Sequence, residues 1–130
     1  MQSKYINILG EEYKVNTEVL IKEDEYLNEV CGYCDSSIKE IVVARFNTDT
    51  VGSLKNMKSH EDKVIRHEII HAFLNESGLG ECSDWARNEE MVDFFARQFP
   101  KMLKVFESLD IIWSPRGLIF MRPKTISVPN

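Results

Sequence analysis

Basic clusters, long apolar runs, an even set of cysteines and internal repeats are all missing from this chain, and each absence removes a class of protein. The 16 Lys and Arg are outnumbered by 21 Asp and Glu, for a net charge of −5. The basic residues nowhere gather into a stripe that would match a phosphate backbone, so nucleic acid is not an expected partner. No apolar run approaches the roughly 20 residues that span a bilayer. The segment after Met1 is polar and of mixed charge, without the apolar core of a signal peptide. These features predict a soluble, cytoplasmic protein with no membrane partner. Three cysteines, Cys31, Cys34 and Cys82, are an odd number, and without a secretory signal they predict free thiols rather than a disulfide framework.

What is present is an ordinary globular composition. With 43% hydrophobic and 28% charged residues over 130 positions, the chain is long enough for one domain with a true core. Tyr5 to Leu9, Gly10-Glu11, and the alternating Tyr13, Val15, Thr17 and Val19 predict a β-hairpin. Residues 23–30 predict a short helix with Tyr26, Leu27 and Val30 inward, ended by Gly32, and residues 38–46 a buried strand. Between them, Cys31-Gly32-Tyr33-Cys34 reads as a turn. A thioredoxin-like pair would need a helix after its first cysteine, and a zinc knuckle would need a second ligand pair. Residues 47–58 read as a loop.

His67-Glu68-Ile69-Ile70-His71 holds two of the three histidines. On a helix, a spacing of four puts both imidazoles on one face, one turn apart, where their nitrogens can converge on one Zn²⁺. Glu68, about 100° round the helix, is then placed to act on a water as general base. Background composition gives this pattern by chance in roughly one chain of this size per few hundred, so the surroundings matter. Ser59 with Asp62 makes a capping-box-like start and Gly78 stands where a C′ glycine belongs, predicting a helix over 60–77. Its apolar positions fall on two stripes, Ile65, Ile69, Ala72 and Phe73 on one and Val64 and Leu74 on the other, as for a helix packed on two sides.

A catalytic zinc usually has three protein ligands, and no histidine follows His71. The third ligand must therefore be a carboxylate or a thiol. A second helix is predicted from an N-cap at Ser83 through Trp85, Val92, Ala96 and Phe99, with Pro100 a kink or the first position of a further helix over 101–108. Glu89 lies on its apolar stripe, where an unpaired carboxylate would be costly to bury and a metal would account for it. Glu90 lies about 100° away near Arg87 and Arg97 and is the alternative, with Cys82 a third. Asp93, one turn after Glu89, is placed to accept a hydrogen bond from a ligating imidazole.

His67-Glu68-x-x-His71 followed by Asn88-Glu89-x-x-x-Asp93 resembles the gluzincin metallopeptidases, whose thermolysin pattern is H-E-x-x-H and N-E-x-x-x-D. The resemblance implies that His67, His71 and Glu89 bind one Zn²⁺, that Glu68 is the catalytic base and that Asp93 supports a ligand. The size and the strands-first order are also similar to small phage and prophage H-E-x-x-H proteins, including the ImmA/IrrE-like metallopeptidases. Their E-x-E-A-N-x-F-A pattern is matched here by Glu89, Phe95 and Ala96, with Met91 and Asp93 in place of its second Glu and its Asn. That likeness implies a peptide or protein substrate, repressor-like in the better-known members.

A gluzincin also implies a donor to the transition state, for which His60 is the candidate and Tyr33, Tyr26 and Arg87 weaker ones. The expected architecture is α+β: a small N-terminal antiparallel or mixed sheet packed on the H-E-x-x-H helix and a second ligand-bearing helix. Residues 1–108 form the zincin-like domain, and 109–130 add an arm and tail to the same domain, with apolar runs at Ile111 to Trp113 and Leu118 to Met121. Two other readings compete with zinc-dependent peptide hydrolysis. One is a binding module whose zinc only staples two helices; the other is a protein acting through partner contacts of that arm.

Overall fold

The computed structural model describes residues 1–46 and 56–112. Their order is strands first, helices after: β1 (Gln2–Ile8), β2 (Glu11–Val19), β3 (Gly32–Asp35), β4 (Glu40–Ala44), then α1 (Met57–Glu76), α2 (Leu79–Cys82) and α3 (Glu89–Ser108). This is an α+β fold. The sheet is mixed, in the order β1-β2-β4-β3, with β2 and β4 parallel and the other two pairs antiparallel. The chain divides into two compact units, Met1–Ala96 and Arg97–Asn130. Among the described residues, no helix is long and apolar enough to cross a membrane.

The hairpin is made by Leu9 and Gly10, at φ 50° and 92°. Both central residues on the left-handed side is the turn whose twist matches two antiparallel strands, and Asn7 Oδ1 fixes it by accepting from Gly10 N–H at 2.9 Å. Tyr13 and Val15 then face one core with Ile8, Ile41, Val43, Val64 and Ala72. Strict alternation predicts Val19 on that same face, yet it packs on the other, with Leu27, Val42 and Ala44. The cause is a bulge: the β2–β4 register shifts between Asn16 and Val19, and Glu18 takes φ 58°. One extra residue reverses which side chains point inward.

Both faces of β4 are therefore covered, Ile41 and Val43 on one side and Val42 and Ala44 on the other. That is why its sequence is apolar without alternation. The second face is closed by residues 21–28, which form two 3₁₀ turns, Ile21–Glu23 and Glu25–Asn28, rather than the helix expected over 23–30. Asp24, extended at φ −148°, separates them and caps the second by accepting from Tyr26 N–H. Eight polar-rich residues are too few to nucleate an α-helix against such a competing cap. Of the three inward residues expected, only Leu27 is buried; Tyr26 and Val30 are exposed.

Gly32 starts β3 instead of ending a helix, and Cys34 pairs with Ile41 in the ladder, so the expected turn at Cys31–Cys34 is an edge strand. A Cβ on Gly32 would lie 3.0 Å from both Val42 O and Val64 Cγ1. Glycine here serves close approach, letting the edge strand lie against α1.

Helix α1 starts three residues earlier than expected, at Met57, because Asn56 and not Ser59 is the N-cap, its Oδ1 accepting from Ser59 N–H at 3.1 Å. It ends as expected, with Gly78 left-handed at φ 86°. Val64, Glu68 and Ala72 are its buried residues, a single line at spacing four. Ile65 and Ile69 flank them against the core, whereas Phe73 is exposed. The second long helix begins at Glu89, not Ser83, since Asn88 is extended and its Oδ1 accepts from Met91 N–H at 2.8 Å. Trp85 lies on a separate 3₁₀ turn, Trp85–Arg87, and is exposed rather than on the helix's apolar stripe. Pro100 lies inside α3, which runs on to Ser108 as one helix. The arm expected beyond Ile112 lies outside the described residues.

Candidate metal centre

The line of α1 that holds Lys63, His67 and His71 runs beside the buried line of Val64, Glu68 and Ala72. The first line faces a cleft, and the second packs on the sheet through Val64 and Ala72 while Val64 and Glu68 also border that cleft. The cleft, about 550 Å³, is walled by Val30 to Cys34 along β3, by α1 from Lys63 to Asn75, and by Glu89 and Asp93 of α3.

Within it, His67 Nε2 and His71 Nε2 are 3.2 Å apart. Glu89 Oε2 lies 3.0 Å from His67 Nε2, and Glu89 Oε1 lies 3.1 Å from His71 Nε2. Tetrahedral coordination at about 2.0–2.1 Å separates neighbouring ligand atoms by roughly 3.3 Å. The three side chains thus already form a triangle of the size that one face of such a site requires. They are the group of His, Cys, Asp and Glu among the described residues whose ligand atoms all fall within 4.8 Å of one another, and they could hold a metal ion. Two neutral imidazoles and a carboxylate suit a divalent cation of the first transition row.

Glu89 is where the sequence placed it but for a different reason. Its side chain is 69% exposed, so it is no carboxylate buried in an apolar stripe. It is the first residue of α3, aimed by the Asn88 cap. Glu90 and Cys82, the alternatives, are not part of the group. Asp93 Oδ1 lies 3.5 Å from His67 Nδ1 and accepts from Lys63 Nζ at 3.4 Å. His67 thereby has a carboxylate oxygen near each ring nitrogen, Glu89 at Nε2 and Asp93 at Nδ1. Arg66 Nε donates to the Ala96 carbonyl at 2.6 Å, tying the first turns of α3 to α1.

Glu68 is only 7% exposed. Burial pushes its carboxyl up to about 7, the neighbouring His67 pulling it down and the Glu89 charge pushing it further up. Cys34, across the cleft, is pushed up to about 12 by burial and then by the charge of Glu68, so at neutral pH it is a thiol and not a thiolate ligand. Cys31 and Cys82 are likewise free, and exposed.

The structure does not bring His60 to this cleft. Its ring packs edge-on against Phe46, with centroids 4.9 Å apart, and the cleft walls do not include it. Arg87 pairs with Asp84 at 2.7 Å. Tyr33 does border the cleft, although its hydroxyl donates to Asp24. Sequence reasoning overlooked Lys63, and the signal was available: it precedes His67 by four residues, the same spacing that joins His67 to His71.

No family model, curated protein or solved structure matches the chain.

Proposed function

We propose that the protein is a zinc-dependent hydrolase of peptide bonds, of the gluzincin type. The observation that supports it most is the triangle of His67, His71 and Glu89 set beside a buried glutamate in an open cleft. Two histidines and one carboxylate are the ligand set of a catalytic rather than a structural zinc, which more often takes four protein ligands. When bound, zinc supplies Lewis acidity, polarising a carbonyl oxygen and making water a better nucleophile.

The rest falls to side chains. Glu68, held among apolar neighbours, accepts the proton of the attacking water and returns it to the departing amine. Asp93 holds His67 by Nδ1, leaving Nε2 for the metal. Burial leaves Glu68 little contact with bulk water.

A second reading has one observation in its favour: the three ligands come from α1 and α3, so an ion would also tie the two helices. A staple of that kind has no use for Glu68. The discriminating experiment is metal analysis of the purified protein together with cleavage of a broad peptide library by its zinc-loaded form. One zinc per chain and cleavage uphold the hydrolase. Zinc without cleavage of any peptide hands the site to the staple.

A further inference from the structure

Along β3 the cleft meets a second cavity of about 440 Å³, and Val30, Tyr33 and Cys34 line both. Its other walls include Tyr26, Asp35 and Ser37. We propose that this cavity is a subsite that takes a lysine or arginine side chain of a peptide bound in the cleft. The proposal rests on the peptide-hydrolase reading and adds to it a substrate class.

Three features carry it. First, the cavity presents two aromatic rings, Tyr26 and Tyr33, with centroids 5.7 Å apart and planes tilted by 59°. Tyr26 is 76% exposed, so its ring is accessible to a ligand in the cavity. Second, the Tyr33 ring is fixed in advance. Its hydroxyl donates to Asp24 Oδ2 at 2.5 Å, while Asp24 Oδ1 accepts from the backbone N–H of Tyr26 at 3.1 Å and so holds the turn that carries Tyr26. A ring held still presents its negative face to a cation without the entropy cost of ordering it.

Third, the one charged residue in the cavity wall is acidic. Asp35 forms part of the wall, its Oδ1 accepting from both the backbone and the hydroxyl of Ser37 at 3.0 and 2.5 Å. Those bonds hold its carboxyl below the usual range, so it is ionised at any physiological pH. Neither Lys nor Arg lines the cavity. A basic side chain would lay its methylenes on Val30 and the rings and its charge by Asp35. An acidic one would face repulsion, and an apolar one would gain nothing from the carboxylate.

The test uses zinc-loaded full-length protein and fluorogenic octapeptides that differ only in carrying Arg, Leu or Glu at one position, scanned along the peptide. The expected result is one position at which Arg exceeds both Leu and Glu in kcat/KM, by roughly tenfold over Glu. Asp35→Asn and Tyr26→Ala should each shrink that ratio with zinc content unchanged. Glu12→Gln, the same loss of charge on the hairpin, should leave the ratio alone. A ratio near one in the wild type, a preference for Leu, or an Arg preference that survives both substitutions overturns the subsite. If no peptide is cleaved, the hydrolase reading fails separately, and binding of the same peptides by fluorescence anisotropy decides: tighter binding of the Arg peptide that Asp35→Asn weakens upholds the cavity as a cation site, and equal binding removes it.

Discussion

Glu68 and Glu76 stand two turns apart on one helix, and their surroundings push them in opposite directions. Glu76, at the end of α1, accepts from the Tyr13 hydroxyl at 2.5 Å and pairs with Lys39. Its carboxyl is held below the usual range by Lys39 and then by Tyr13. Glu68 sits between Val64 and Ala72, with burial its dominant influence, and is raised to about 7. One carboxylate is surrounded by donors and secures the helix to the sheet; the other is kept poorly solvated beside three potential ligands. A fold does not hold a carboxylate in the second condition for stability's sake, since an apolar residue there would serve packing better.

That contrast can be broken or sharpened by experiment. The largest effect is expected from Glu89→Ala, which removes a proposed ligand: zinc should be lost on dialysis, and the proposed cleavage with it, whereas Glu90→Ala should keep both. Metal analysis of the two proteins checks this, and the assignment fails if their behaviour is exchanged. Next comes Glu68→Gln, expected to lower kcat by about 10² to 10⁴-fold while zinc content stays at the wild-type level. A fully active Glu68→Gln protein would make Glu68 another Glu76, a residue of structure only.

Asp93→Ala should weaken zinc binding by roughly 10 to 100-fold without abolishing it, as read by competition with a chelator. Wild-type affinity would mean that the contact with His67 Nδ1 does nothing.

The smallest effect on the site, and a clear one on the fold, is expected from Glu76→Gln. A carboxyl whose folded value is depressed adds stability that is fully present above its ordinary value of 4.5 and is lost as pH falls through the lower folded value. The substituted protein should therefore melt at a lower temperature at pH 7, and the gap to wild type should close on acidification below about pH 4.5. Thermal melts across that range decide it. A gap that does not narrow would show that the Lys39 and Tyr13 partners contribute through packing, not charge.

Much of this was legible before any coordinates. The hairpin, the strand around Ile41 to Ala44, the helix with His67 and His71 and the Gly78 stop all follow from local pattern, because each depends on neighbours within a few residues. What failed depended on partners far along the chain or on a cap competing with a helix. Val19 changed face because β2 pairs with β4 out of step, which no reading of β2 alone contains. Asn56 and Asn88 set the starts of α1 and α3, in place of the expected caps Ser59 and Ser83. Glu89 illustrates the mixture: the residue was found by a periodicity beginning at Trp85, but Trp85 is not on that helix, and the true link is one turn from Glu89 to Asp93. His60 was expected as the donor that the gluzincin resemblance implies, and its ring packs on Phe46 instead of lining the cleft.

The glycine at position 32 has a mechanical consequence. A methyl group there would press on two atoms at once, Val42 O in the ladder and Val64 Cγ1 on α1, each 3.0 Å away. One of the two must give by a few tenths of an ångström, at a point one turn before Glu68. A single carbon added to an edge strand would thus disturb the packing beside Glu68 from the opposite wall, making Gly32→Ala a probe of that burial.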